Sequence, residues 1–144
     1  MADLDALIRL RKHAVEEKQR VVAQLYREVE TLEKQKKAVQ DQMAHEKKLA
    51  EEMERPEAIT FYGRYADGAR KKIQLLQVTI KKLEGRIDAA QEDMRGAFAE
   101  MKKVQITQDR REKREAKKLQ KKEDNLLDDV ALDQYRRRIL EDKK

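Results

Sequence analysis

The sequence contains no cysteine and no tryptophan, a single proline and only four glycines. Without cysteine, neither a disulfide framework nor a thiolate metal site can be built. Aromatic residues make up 4% of the chain, too few large side chains to fill a deep three-dimensional core. Long apolar runs are missing as well: no stretch approaches the roughly 18 apolar residues a membrane span needs. The opening MADLDALIRLRKH carries acids early and no continuous apolar segment, so it does not read as a signal peptide. The expectation is a soluble, cytoplasmic protein that inserts into no membrane. Catalytic groupings are equally scarce. No Gly-rich phosphate loop and no nucleophile–base pair is present. His13 and His45 fall on outer helix positions far apart, without the convergent ligands a metal or catalytic role needs. A two-layer coil also offers no concave, water-excluding pocket. The chain is therefore expected to have no enzymatic activity, no catalytic residue, no cofactor and no metal.

What remains is charge and a period. Charged residues are 44% of the chain and the net charge is +6. Such a composition usually signals disorder, but here the apolar residues recur on a seven-residue pattern, which reads as a coiled coil. The first seam runs Leu4, Ile8, Arg11, Val15, Lys18, Val22, Leu25, Val29, Leu32, Lys36, Val39, Met43, Glu46, Ala50 and Met53, with eleven of its fifteen positions apolar. Glu30 with Lys34, and Glu33 with Lys37, have the favourable i,i+4 order on the outer face. The lone proline, Pro56, is expected to end this helix, and Thr60 is a candidate cap for the next. The second seam is cleaner: Tyr62, Ala66, Ala69, Ile73, Leu76, Ile80, Leu83, Ile87, Ala90, Met94, Ala97, Met101 and Val104.

Two seams joined by a short loop should fold back on each other. The predicted fold is all-α, a long antiparallel two-helix coiled-coil hairpin: helix 1 over about 3–54, a turn over about 55–60 and helix 2 over about 61–140, with pairing symmetric about Pro56. That register sets Leu25 on Ile87, Val22 on Ala90 and Leu4 on Gln108, so everything beyond about residue 108 has no partner in the chain and forms a charged single-helix extension. The extension is patterned. Arg110, Arg111, Lys113, Arg114, Lys117, Lys118, Lys121 and Lys122 make a basic run interleaved with Asp109, Glu112 and Glu115. Five acids and no base follow between Glu123 and Asp133. Leu127, Ala131, Tyr135 and Ile139 then line up at i+4 spacing as a second apolar stripe. The basic run lacks stacking aromatics and any nucleic-acid-binding signature, which favours an acidic protein surface over nucleic acid and leaves a solvated helix as the plain alternative.

Near the turn, Phe61, Tyr62 and Tyr65 gather three of the six aromatics within five residues. A hairpin two helices thick cannot enclose them all, so they form either an interface or a cap sealing the coil. Gly63, Gly68, Gly85 and Gly96 avoid the seam, although each costs up to about 1 kcal/mol in a helix interior. Beside the turn, Gly63 and Gly68 either admit a partner closely or are tolerated surface glycines.

The segments LIRLRKHAVEEKQR, FYGRYADGARKKIQLLQVTIKKLEGRI and QDRREKREAKKLQKKEDNLLDDVALDQYRRR, in that order, resemble the FliJ family of the flagellar type III export apparatus. The stalk proteins of injectisomes have the same character. Alanine at positions 66, 69, 90 and 97 departs from the larger residues the family often carries there. The resemblance implies a protein similar to the central stalk of rotary ATPases, monomeric on its own. Its implied partners are the hexameric export ATPase at the end bearing the termini, the cytoplasmic domain of the export-gate membrane protein near the turn, and unloaded substrate chaperones. Its implied location is cytoplasmic, peripheral to the inner-membrane export apparatus. The resemblance points to Tyr65, Ala69 and Leu76, faced by Met43, Glu46 and Ala50, as gate contacts, to which the aromatic cluster adds Phe61 and Tyr62. For the ATPase ring, Leu127, Asp128 and Asp129 match the family's Leu-Asp-acid ending. Arg110, Arg111 and Arg114 of the basic run and Tyr135 of the apolar stripe join them. The competing readings are a structural scaffold that self-associates, which the polar outer faces disfavour, and a nucleic-acid-binding arm.

Overall fold

The computed structural model describes residues 4–142, which form two helices, α1 over Asp5–Met53 and α2 over Pro56–Asp142. The helices pack on each other as the predicted antiparallel hairpin, and no strand occurs among the described residues. The predicted start of helix 1 at residue 3 lies outside the described residues.

The turn is far tighter than the expected 55–60. Glu54 takes a left-handed conformation (φ 54°, ψ 23°), and its N–H donates to the Glu51 carbonyl at 3.3 Å. Arg55 alone follows before α2 begins at Pro56. The proline thus opens the second helix rather than merely closing the first. At the first helical position its fixed φ is already helical and its missing N–H would have been unpaired anyway. Ala58 N–H donates to the Arg55 carbonyl at 3.1 Å, closing the first turn. Thr60 is consequently no cap: it sits inside α2 and donates its hydroxyl to the Pro56 carbonyl at 3.2 Å. The last turn of α1 carries Glu51 and Glu52 and no base, which opposes the helix dipole. The reversal therefore comes from proline and the left-handed residue, with no help from end charge.

The seam carries the packing. Every position of the second seam, from Tyr62 to Val104, is buried or half-buried. Ile80, Leu83 and Ile87 are buried at its centre, and burying such a side chain contributes roughly 1.5–3 kcal/mol. Ala66, 1% exposed, and Ala69 let the helices approach closely beside the turn. On α1 only Lys18 and Met53 of the fifteen seam positions are exposed. Lys18 keeps its ammonium in water, as lysine does at a seam edge. Met53, the last residue of α1, lies open at the turn.

Two cross-helix hydrogen bonds fix the register. Gln108 Nε2 donates to Asp5 Oδ1, one residue from the predicted Leu4 level. Gln91 Nε2 donates to Tyr26 Oη at 2.8 Å. Helical side chains lean towards the N-terminus, so the Tyr26 phenol lies over the preceding turn, level with Val22, beside Ala90 and Gln91. The coil ends at half-buried Gln108, level with Asp5, after one polar position at half-buried Arg11. Beyond that, residues 109–142 are all exposed and all helical, projecting roughly 50 Å at about 1.5 Å per residue.

Candidate functional site

Two regions of the rod offer more than a solvated helix face. The first is at the turn. An open groove of about 380 Å³ is lined by Glu46, Leu49, Ala50, Met53, Ala58, Phe61, Tyr62 and Tyr65. A second, of about 560 Å³, is lined by Ala38, Val39, Gln42, Arg64, Tyr65, Gly68, Ala69 and Lys72. Tyr65 is the wall they share. Gln42 and Leu49 on α1 are seven residues apart, as are Tyr65 and Lys72 on α2, so the two grooves follow one flank of the seam. They form because small side chains (Ala50, Ala66, Ala69) occupy the seam here, and a shallow seam leaves its flanks uncovered. The Tyr62 and Tyr65 rings are 6.4 Å apart and tilted by 45°, within the range of favourable aromatic pairs. Phe61 remains 70% exposed and Tyr65 39% exposed, so the cluster does not seal the coil end.

Of the eight residues expected at the gate contact, the structure brings Glu46, Ala50, Phe61, Tyr62, Tyr65 and Ala69 to these grooves. Met43 and Leu76 lie elsewhere, half-buried in the seam. Gln42, Leu49 and Lys72 line the grooves without having been singled out. Their signal was the flank position repeated on both helices, visible only once the two seams are aligned. A Cβ added to Gly68 would meet open space, and the same holds for the other three glycines. Packing within the chain therefore requires none of them.

The second region is the extension. Arg110, Arg111, Arg114, Leu127, Asp128, Asp129 and Tyr135 are all exposed on one continuous helix, without mutual contact inside the chain. Leu119, Leu126, Leu127, Val130, Leu132, Tyr135, Ile139 and Leu140 are exposed with them. Eight large apolar side chains in water on a bare helix are a surface awaiting cover.

His13 is exposed and paired only with Glu17 at 3.8 Å. No cluster of metal-ligating side chains occurs among the described residues, and no helix is long and apolar enough to cross a membrane. On the outer face Lys34 pairs with Glu30 at 3.2 Å, whereas the expected Glu33–Lys37 pair does not form. Ion pairs there join residues three or four apart on one helix and contribute little each.

The fold defines a class: an all-α antiparallel helical hairpin whose second helix runs on past its partner. The chain belongs to the FliJ family, the model of the flagellar FliJ protein matching residues 1–140. That family supplies non-enzymatic components of the flagellar export apparatus. No curated protein and no solved structure matches the chain significantly.

Proposed function

We propose that the chain is the central-stalk-like component of the export apparatus. Its bare C-terminal helix engages the hexameric export ATPase, its turn-proximal groove engages the cytoplasmic part of the export gate, and it escorts unloaded substrate chaperones between them. The observation that carries this reading is the projecting helix. Residues 109–142 are exposed along their whole length yet patterned in charge and apolarity, and a narrow helix of that kind suits insertion into the opening of a ring. Membership in the FliJ family supports the export setting. The exposed aromatics at the opposite end support a second attachment, since clustered Tyr and Phe side chains commonly anchor interfaces.

The test is to delete residues 123–144 and measure ATP hydrolysis by the purified hexamer with and without the chain. The deletion removes most of the apolar surface of the extension and leaves the hairpin seam whole, so helical melting of the hairpin should change little while binding and stimulation are lost. A truncated chain that binds and stimulates as the parent does would falsify the stalk reading.

A further inference from the structure

We infer that the extension meets its partner through one face only, and that the partner presents an acidic protein surface to it. In sequence the basic run is interleaved with acids, which leaves a solvated mixed-charge helix open beside the acidic-surface reading. The structure changes this. The run is unbroken α-helix, in which each residue turns by about 100°. Arg110, Arg114, Lys117 and Lys121 then fall in one row along the axis. Arg111, Lys118 and Lys122 form the row beside it, with Lys113 on the other side, so that all the cations occupy about half of the circumference. Glu112, Glu115 and Glu123 project from the other half, with Leu119 among them. Charge that alternates along the chain is segregated around the helix.

A second observation is independent of the first. In the hairpin, Arg20, Lys34, Arg70, Arg95 and Lys103 each pair with an acid three or four residues earlier. No ion pair holds any cation between Arg110 and Lys122 among the described residues. Acids do stand at pairing distance along the border of the two halves, Glu115 four residues after Arg111 and three before Lys118, and Asp109 four before Lys113, yet none of these pairs forms. The result is an uncommitted basic strip about 18 Å long, at about 1.5 Å per residue. Charge complementarity calls for a polyanion. No aromatic stands in the run to stack on bases, and the same helix continues into Asp124, Asp128 and Asp129, which would repel phosphates. A protein can offer acids opposite the strip and something else beyond it; a nucleic acid cannot.

This inference rests on the stalk reading, in which the acidic surface belongs to the ATPase ring, and the experiment separates the two. Two full-length variants are compared with the parent for binding to the purified hexamer over a salt series: Arg114→Glu/Lys117→Glu/Lys121→Glu on the strip, and Glu112→Lys/Glu115→Lys/Glu123→Lys on the opposite face. The strip variant should bind about tenfold more weakly or worse, since several charge pairs become repulsions, and should lose the steep salt dependence of the parent. The opposite-face variant should stay within about threefold. Matching losses in both variants would show a contact all around the helix and overturn the one-face inference while the stalk reading stands. A gain in the second variant as large as the loss in the first would reduce the effect to net charge, and would overturn the one-face inference in the same way. No binding by the parent itself would overturn both. Tight, salt-dependent binding of duplex DNA or RNA, lost in the strip variant while hexamer binding is kept, would assign the strip to nucleic acid instead.

Discussion

Glu54 is the one non-glycine residue with positive φ among those described, and it sits where helices usually place glycine. A residue with a Cβ is strained there by roughly 1 kcal/mol or more. Glu54→Gly should therefore stabilise the hairpin by about 0.5 kcal/mol, part of the relief being lost to the freer unfolded chain. Glu54→Val should destabilise it, since a branched Cβ fits that conformation worst. Urea melts followed by circular dichroism would check both signs, and a stabilised valine variant would contradict the turn geometry. The left-handed residue was invisible in sequence because glutamate does not announce it. Pro56 misled for a related reason: proline marks a helix boundary, but either side of the boundary is open to it, and only the turn geometry selects one. Tyr65, by contrast, was legible as part of an aromatic excess over what a two-helix seam can bury.

At the scale of the elements, the two seams were readable almost entirely from their period, because a coiled coil writes its contacts into a single repeat. The register followed from the position of the turn, and the hydrogen bonds from Gln108 to Asp5 and from Gln91 to Tyr26 agree with it. Cysteines at Leu25 and Ile87 should accordingly oxidise to an intrachain disulfide. A pair at Leu25 and Val104 should not, lying 17 residues of α2 apart in level, about 25 Å at the helical rise. Crosslinks found mainly between chains would argue against the hairpin. What the period could not reveal was the groove, which depends on flank positions of both helices seen together. The rotational segregation of the basic run was hidden similarly, because it emerges only when the helix is known to continue unbroken past the seam. Groove and strip are both properties of faces, and a face has to be wound before it can be read.

Taken whole, the molecule is a rod in which one helix of 87 residues supplies both the extension and one wall of the turn-proximal grooves, and it is about 130 Å long at the helical rise. Sites so far apart and without shared partners should act independently. Tyr65→Ala should weaken attachment to the gate by about 2 kcal/mol, near thirtyfold, while ATPase stimulation in solution stays at the parental level. Removing residues 123–144 should do the converse, and the combined variant should show both losses unmodified. Gate binding by a folded Tyr65→Ala chain at parental strength would rule the groove out as the gate contact. The tightness of the turn also orders the way the hairpin is built. Residues flanking Glu54 and Arg55 are neighbours in sequence, whereas Tyr26 and Gln91 are 65 residues apart and Asp5 and Gln108 are 103 apart. Since closing a loop costs more entropy the longer it is, folding is expected to zip from the turn outward, each layer shortening the loop left for the next. The extension lies outside that zipper, so mutations in it should alter docking without slowing the folding of the rod that carries it.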